Sequence, residues 1–166
     1  MSAAAYVIRR VTPVDLPMIA GWRARPHVIE WWGEPRVEPE AEKLEDSRIA
    51  MWIVEHDERP FGFIQDYAAH DWDPHPFSYL PLGSRGLDLF IGEGDMLAVG
   101  HGPWFLRQHV EEVFARGVPA AGADPHPDNV RAQRAYEKAG FTAVSGPQDT
   151  RWGRAILMDR RNGVTR

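Results

Sequence analysis

The chain has 166 residues, a formal net charge of −5 and no cysteine. This length fits one domain, spanning 1–166, that can bury a sizeable core. Without cysteine, the chain cannot form disulfides, cysteine nucleophiles or cysteine metal sites. The mild negative charge argues against a nucleic-acid partner and for a small cationic substrate, although a charge this small is more often only a solubility feature.

The sequence also lacks the signals of membrane and secreted proteins. No apolar run approaches the roughly 18–20 residues that a membrane span needs. The segment from Met1 to Tyr6 shows no charged region followed by a long apolar stretch, so no secretory signal is expected. We therefore expect a cytoplasmic protein without a membrane partner.

Runs rich in β-branched and aromatic residues predict the strands. They are 6–11, 50–55, 61–67 and 87–91, with a weaker candidate at 118–123. The sequence H-D-E-R-P between the second and third runs predicts a hairpin turn. Near the C-terminus, 141–144 and 154–158 predict a final hairpin.

Helices are predicted between these strands. Thr12 is a good N-cap and Pro13 suits the first helical position, so we expect a helix that continues to about Trp22. The segment His27–Gly33, with two adjacent tryptophans, is expected to be a loop or a short helix. The charged run Pro39–Arg48 is expected to be a surface helix.

The middle of the chain combines a long loop with a clear amphipathic helix. Segment 68–84 is rich in proline, aspartate, histidine and aromatic residues, which is typical of a functional loop rather than a domain linker. Segment Pro103–Arg116 carries apolar residues at helical spacing. Strands at both ends with helices between them fit an α+β or mixed α/β layered fold.

The most informative segment is Asp124–Phe141, D-P-H-P-D-N-V-R-A-Q-R-A-Y-E-K-A-G-F. It predicts a short helix that has Asn129 at its entrance and ends at Gly140. An asparagine at the entrance and Tyr136 two turns later can point into the same cleft. Taken singly, Asn129 is more often a helix cap and Tyr136 an ordinary half-buried core residue.

A second motif is the glycine loop Leu97–Gly102, L-A-V-G-H-G, which precedes the predicted helix at Pro103. A glycine loop at a helix N-terminus offers free N–H groups and the positive end of a dipole to a pyrophosphate. Glycines before a helix are also common as turn residues. Pro103 donates no N–H, so only part of such a cradle is available. His101 can add charge there, although a solvent-facing histidine is the more ordinary reading.

The two motifs, in this order, resemble the C-terminal half of the Gcn5-related N-acetyltransferases. The further elements H-V-I-E-W-W-G, F-G-F-I-Q-D-Y and G-S-R-G-L-D narrow the resemblance to the aminoglycoside 6′-N-acetyltransferases, over about Tyr6 to Asp159. The resemblance implies a single acetyltransferase domain with a central, mostly antiparallel mixed sheet flanked by helices. It also implies acetyl-CoA as cosubstrate and no metal.

The resemblance implies a set of coenzyme-binding residues. The phosphate loop corresponds to Val99, Gly100, His101 and Gly102, and the contact with the pantetheine arm corresponds to Asn129. Backbone N–H groups of the strand after Asp88, at Phe90 and Ile91, would hold the thioester carbonyl oxygen. Leu97 stands where the family has a polar residue.

The resemblance also implies an acceptor site. Asp88 matches the proposed general base, and its position inside the apolar run L-D-L-F-I is unusual for an acid unless it faces a cleft. Tyr136 matches the proposed general acid. The substrate-binding residues implied are Trp31 or Trp32, Asp71 or Asp73, Asp88 and Asp124, although two adjacent tryptophans are more often one core and one surface residue than two ligands. Trp152 occupies the position of a substrate-facing acid in the family, which affects which aminoglycoside fits.

The implied reaction is direct transfer of acetyl from acetyl-CoA to the 6′-amine of an aminoglycoside in a ternary complex. An aspartate, with an ordinary pKa of about 3.9, is a weak base for an ammonium, so Asp88 acts as the base or as a residue that orients the amine. The alternatives are another amine, such as a siderophore precursor, a polyamine or a protein N-terminus, and a non-catalytic domain that binds acyl-CoA or an aminoglycoside. The sequence leaves monomer and homodimer open.

Overall fold

The structure, a computed structural model, describes residues 6–36 and 39–163. The expectation about a secretory signal therefore lies mostly outside the described residues. The strands are β1 (Tyr6–Arg10), β2 (Ile49–His56), β3 (Arg59–Ala68), β4 (Arg85–Ile91), β5 (Ala120–Ala123), β6 (Thr142–Ala143), β7 (Gln148–Thr150), β8 (Gly153–Ala155) and β9 (Met158–Arg161). The helices are α1 (Leu16–Arg23), α2 (Pro26–Trp32), α3 (Glu40–Lys43), α4 (His101–Ala115) and α5 (Val130–Lys138). Among the described helices, none has the length and apolar character needed to cross a membrane.

Seven of the described strands form one sheet in the order β1-β2-β3-β4-β5-β9-β6. Strands β4 and β5 are parallel, and the other neighbours in the sheet are antiparallel. Strands β7 and β8 form a separate two-stranded ribbon. The mixed, mostly antiparallel sheet expected from the sequence is confirmed.

The parallel pair β4–β5 is short, and this positions the site. The two strands pair only where Arg85 meets Ala121 and Gly86 meets Gly122. Residues of β4 beyond this point, together with the segment that follows β5, line a pocket instead of continuing the ladder. The sheet therefore opens at its centre, between the carboxyl ends of two neighbouring strands.

Helices cover both faces of the sheet because successive strand residues point to opposite sides. On one face, Ile64 of β3 packs in a cluster with Phe105 of α4. On the other face, Phe63 and Phe90 pack with Trp22 of α1. Gln65 and Asp66, which are successive residues of β3, likewise point to opposite faces of the sheet.

Several sequence expectations are confirmed at the level of single elements. The hairpin between β2 and β3 turns on Asp57 and Glu58, whose φ angles of 49° and 64° match the twisted two-residue turns that join antiparallel strands. Thr12 forms a capping box with Asp15 ahead of α1. The long loop expected over 68–84 begins one residue later, after β3 ends at Ala68, and opens with a turn of 3₁₀ helix at Ala69–Asp71.

The expectation of a surface helix over Pro39–Arg48 is wrong. Only Glu40–Lys43 is helical, and both of these end residues are buried. The reason is a buried ion pair: the Arg23 guanidinium donates to the Glu40 carboxylate. The charged run is turned inward by partners from α1 that local sequence patterns do not reveal.

The two segments of the predicted C-terminal hairpin do pair, but the return strand begins later than expected. Strand β6 pairs with β9, with Thr142 opposite Asp159 and Ala143 opposite Met158. Residues of the predicted return strand are divided between β8, which pairs with β7, and β9. The extra ribbon β7–β8 accounts for the shift, and it carries residues that line the acceptor cleft.

Candidate active site

Two carboxylates face each other at the opening between β4 and β5. Asp88 lies on β4 and Asp124 directly follows β5, and their side chains are in hydrogen-bonding contact. Tyr136 of α5 lines the same pocket and is 6% exposed. The sequence predicted that these three residues meet, and the structure brings them together in one pocket.

The surroundings of this group change how it holds protons. Burial raises the pKa of Asp124 well above its ordinary value, and the neighbouring charge of Asp88 raises it further. Burial also raises the pKa of Tyr136, with added contributions from the charges of Asp88 and Asp124. These effects favour a protonated phenol, and they favour a proton held between the two acids over two ionised carboxylates.

The open edge of β4 presents the backbone of Leu89 and Ile91. The Leu89 carbonyl accepts from Trp32 at 3.3 Å and the Ile91 carbonyl from His27 at 2.9 Å, whereas Gly92 N–H donates to Phe61 O across β3. Since strand residues alternate between the two edges, the amides of Leu89 and Ile91 face the opening.

The expected role of Phe90 needs correction. Its side chain is buried in the core, where it stacks on Phe63 with ring centroids 5.0 Å apart. By the same alternation its amide faces β3 and not the opening. Leu89, which lines the pocket, is the residue that the sequence analysis missed. The sequence does not show which residues of β4 turn their amides to the open edge.

Asn129 combines the two readings that the sequence left open. It is the N-cap of α5, where its Oδ1 accepts from Ala132 N–H at 3.1 Å. It also lines the pocket that contains Asp88 and Tyr136. The cap uses the side-chain oxygen, and the amide NH₂ is the group that can donate to a ligand.

The glycine loop leads into α4 as expected, but the helix begins two residues early, at His101. Gly100 is its N-cap with a φ of 97°, a left-handed conformation that favours glycine. Val99 and Gly100 are exposed, and no heavy atom lies within 4 Å of a Cβ added at Gly102. Pro103 is the third residue of the helix, so the first turn offers fewer N–H groups than usual.

His101 does not reach the loop surface with its side chain. The ring is buried, and its Nδ1 lies 2.8 Å from the hydroxyl of Tyr6. Burial lowers its pKa, and the charge of His56 lowers it further. The proposed extra charge beside the phosphates and the solvent-facing alternative are therefore both wrong, and only the His101 backbone can serve the loop.

The acceptor side is a wide cleft with aromatic walls. Trp31, Trp32 and Trp152 line it. Trp31 is 39% exposed and packs on His126, whereas Trp32 is half-buried and donates to Leu89 O. Asp88 and Asp124 lie in the floor, where the cleft meets the smaller pocket.

The sequence matches a known family over most of this architecture. Residues 12–146 match the family described as acetyltransferase (GNAT) domain. The chain belongs to the GNAT acetyltransferase family. The match includes the glycine loop, Asp88 and the Asn129–Tyr136 helix.

Named relatives extend the comparison. The aminoglycoside N(6′)-acetyltransferase type 1 of Klebsiella pneumoniae is 30% identical, over 93% of this chain and 82% of the relative. A crystal structure of aminoglycoside acetyltransferase AAC(6′)-Ib with coenzyme A and kanamycin superposes with a TM-score of 0.84 at 31% identity, covering 94% of both chains. A spermidine N-acetyltransferase from Vibrio cholerae, at 14% identity and a TM-score of 0.75, shares the fold.

Asp71 and Asp73, expected in the acceptor site of this acetyltransferase, are both exposed and line neither part of the cleft. The loop presents Trp72 and His75 instead. His75 Nδ1 accepts from Phe77 N–H at 3.0 Å, and burial lowers the pKa of His75 to about 4. The loop therefore supplies neutral aromatic surface at neutral pH, where the sequence predicted a carboxylate.

The cleft also carries cations that the sequence analysis did not anticipate. Lys43, Arg151 and Arg154 line it. Arg154 is paired with Asp149 at 3.1 Å, and the Arg151 guanidinium lies 4.6 Å from the ring of Trp152. The acceptor cleft is therefore mixed in charge. The signal was present in the basic residues around Trp152, but their placement depended on the unexpected ribbon β7–β8.

Lys43 reaches Asp88 through Gln65, whose part in the site was not expected from the sequence. Lys43 Nζ donates to Gln65 Oε1 at 3.1 Å, and Gln65 Nε2 donates to Asp88 Oδ2 at 2.9 Å. Gln65 lies opposite Asp88 in the β3–β4 register, which explains their contact. In the described residues, no group of three or more histidine, cysteine, aspartate or glutamate side chains has the geometry to hold a metal.

Proposed function

We propose that this protein transfers the acetyl group of acetyl-CoA to the 6′-amine of aminoglycosides, acting in the cytoplasm as a monomer or homodimer. The observation that carries the proposal is the meeting of Asp88, Asp124 and Tyr136 at the opening of the sheet, below an aromatic-walled cleft. The relatives named for aminoglycoside acetylation support the choice of acceptor. Such an activity confers antibiotic resistance.

The coenzyme has a natural position along the opening. The segment Val99–Gly102, whose first two residues are exposed, would hold the pyrophosphate through backbone N–H groups and the positive end of α4. The pantetheine arm would then pass Asn129 and enter between β4 and β5. The Leu89 and Ile91 amides on the open edge of β4 are suited to the thioester carbonyl, where negative charge develops during transfer.

The reaction needs a neutral amine beside this carbonyl. The amine nitrogen attacks the carbonyl carbon, the C–S bond breaks, and the amide product forms with loss of one proton from nitrogen. Asp88 orients the amine and accepts or relays that proton. Tyr136, protonated because its pKa is raised, donates a proton to the departing thiolate. Proton count balances, since one proton leaves nitrogen and one reaches sulfur.

A second candidate acceptor is favoured by the cations of the cleft. Aminoglycosides carry several ammonium groups, and Lys43 and Arg151 would repel those that approach them. An amine with fewer positive charges, including one from another metabolic class, avoids this repulsion. The walls Trp31 and Trp152 suit the apolar face of a sugar ring, whichever number of ammonium groups that sugar carries.

The test is thiol release from acetyl-CoA with a panel of acceptors. The panel pairs aminoglycosides that have a 6′-amine with matched compounds that have a 6′-hydroxyl, and adds a polyamine and a peptide with a free N-terminus. The proposal predicts release with the 6′-amines alone. Equal rates with 6′-hydroxyl compounds, or turnover of only the polyamine or the peptide, would move the assignment to another acceptor.

A further inference from the structure

We propose that Lys43 and Gln65 are positioning residues that keep Asp88 as the carboxylate of the Asp88–Asp124 pair and leave the shared proton on Asp124. The inference deepens the proposed function, because it assigns roles within the site that would perform the transfer. It rests on a directional chain of hydrogen bonds that begins outside the reactive pocket and ends at Asp88.

The direction of the chain follows from donor and acceptor chemistry. A lysine ammonium can only donate, so the Gln65 atom 3.1 Å from Lys43 Nζ must be the amide oxygen. The Gln65 NH₂ group is then turned to Asp88 Oδ2, 2.9 Å away, and it can only donate. Asp88 Oδ2 must therefore accept, which favours the ionised form of Asp88.

Lys43 is held in place from behind. Its side chain is only 10% exposed, with Nζ 3.7 Å from the Glu40 carboxylate and 5.5 Å from the ring centre of Trp32. Glu40 also accepts from the buried Arg23, so one carboxylate serves two cations. The positive charge of the Lys43 ammonium further favours an anionic Asp88.

Asp124 also has a backbone hydrogen bond that lowers its pKa, but its burial and the charge of Asp88 outweigh this bond. It directly faces Asp88, and two carboxylates in contact cannot both be ionised without a large repulsion. The charged and titratable groups that face Asp88 come from every surrounding element: Lys43 through Gln65, Asp124, His126, Tyr136, and, across the wider cleft, Arg151, Arg154 and His75. Within this set, the chain from Lys43 breaks the symmetry of the pair.

The assignment has a functional consequence. An ionised Asp88 attracts the incoming ammonium and orients it, while a neutral Asp124 can donate a hydrogen bond to Asp88 and take part in proton relay. If the proton moved to Asp88, the residue nearest the amine would lose its charge. Removal of Lys43 should therefore impair catalysis without removing any group that touches the substrate nitrogen.

The activity test compares the pH dependence of kcat/KM in three variants, with whichever amine the wild type acetylates. Lys43→Met keeps the length but removes the donor and the charge, and Glu40 keeps Arg23 as partner. Gln65→Glu replaces the donor to Asp88 by a second carboxylate. Both should move the acidic limb up by about 1–2 pH units, since a hydrogen bond to a charged group contributes about 1.5–3 kcal/mol and one pKa unit corresponds to about 1.36 kcal/mol. Lys43→Arg should restore the wild-type limb.

A second measurement does not depend on turnover. Carboxyl ¹³C chemical shifts of aspartate-labelled protein, assigned with Asp88→Asn and Asp124→Asn, should show Asp124 protonated and Asp88 ionised at pH 7. In Gln65→Glu the distinction should weaken. This measurement separates the two proposals, because it can succeed even if the panel of acceptors shows that no aminoglycoside reacts.

Three results would overturn the inference. One is an unchanged acidic limb in Lys43→Met and Gln65→Glu, even if both unfold at lower temperature, since that pattern belongs to a purely structural role. Another is a limb that shifts equally in Lys43→Arg. The third is a wild-type spectrum in which Asp88 carries the proton.

Discussion

Neighbouring residues of β3 belong to two buried polar clusters with opposite properties. Gln65 points to the face of α1 and α2 and contacts Asp88, whereas Asp66 points to the face of α4. Asp66 accepts from Trp52 at 2.7 Å, from His109 at 2.9 Å and from Arg85 at 2.6 Å. The Asp88–Asp124 pair instead joins two acids.

The two clusters show that burial alone does not decide whether the pKa of a buried aspartate rises or falls. Burial would raise the pKa of Asp66, but the hydrogen bond from His109 and the charges of His109 and Arg85 outweigh it, so this pKa is lowered. Burial raises the pKa of Asp124, and its closest charged neighbour, Asp88, adds to the rise. A carboxylate surrounded by donors stabilises a fold, whereas carboxylates that face each other are available for proton chemistry.

Asp88→Asn should produce the largest change in activity. The substitution keeps the shape but removes the charge and the proton acceptor. We expect turnover to fall by about 10²–10⁴-fold, the usual contribution of assisted proton transfer. Steady-state kinetics and calorimetry with acetyl-CoA measure this. The midpoint of urea unfolding and the affinity for acetyl-CoA should be retained, and a variant with full turnover would reduce Asp88 to a passive wall.

Asp66→Asn should lower the stability of the fold and leave the activity nearly unchanged, the reverse of Asp88→Asn. It leaves Arg85 and His109 without their charged partner, and breaking a buried pair of this kind typically costs about 3–5 kcal/mol of stability. We expect a clearly lower urea midpoint, read from tryptophan fluorescence, and nearly normal turnover per folded molecule. Loss of turnover in protein that remains folded would show that the two clusters do not divide stability and catalysis as described.

Gly102→Glu tests the coenzyme side without touching either cluster. A Cβ at this position has open space, so the substitution should fold, but its carboxylate would face the pyrophosphate. We expect acetyl-CoA affinity to fall at least about tenfold, which corresponds to about 1.4 kcal/mol. Ala115→Glu, an exposed position at the other end of α4, adds the same charge away from the loop and is the control. Equal affinities in the two variants would remove the phosphate site from Val99–Gly102.

Arg151→Gln should give the smallest change, and it should improve acceptor binding instead of weakening it. The variant removes a positive charge from the cleft that contains the functional carboxylates. The KM for a polycationic aminoglycoside should fall about 2–5-fold, the size expected for an exposed charge interaction, and the effect should shrink as salt rises. Arg10→Gln, which removes a cation above Trp52 on the other face, is the control. A raised KM would mean that Arg151 assists acceptor binding.

Much of this site could be anticipated because it depends on local order along the chain. A helix that begins at Asn129 must bring Tyr136 round to the same side, and an aspartate inside an apolar strand must face a cleft or a partner. The glycine loop before α4 is likewise a local feature. These residues needed only correct elements and the strand order implied by the family resemblance.

The residues that the sequence missed or misplaced owe their positions to contacts between segments that are distant in sequence. Lys43 enters the cleft because Arg23 and Glu40 hold α3 inward, and Arg151 enters it because the ribbon β7–β8 forms. Asp71 and Asp73 stay outside because the loop packs through buried Phe77 and Leu80. Periodicity and turn composition carry no information about such long-range packing.

The central claim concerns the atom that receives the acetyl group. The direct measurement is the structure of the product formed from kanamycin A and acetyl-CoA by the wild-type protein, solved by two-dimensional NMR, with Asp88→Asn as a parallel sample. The account predicts a single product acetylated on the 6′ nitrogen, with little or none formed by the variant. Acetylation at another amine or at a hydroxyl, or equal product from Asp88→Asn, would contradict it.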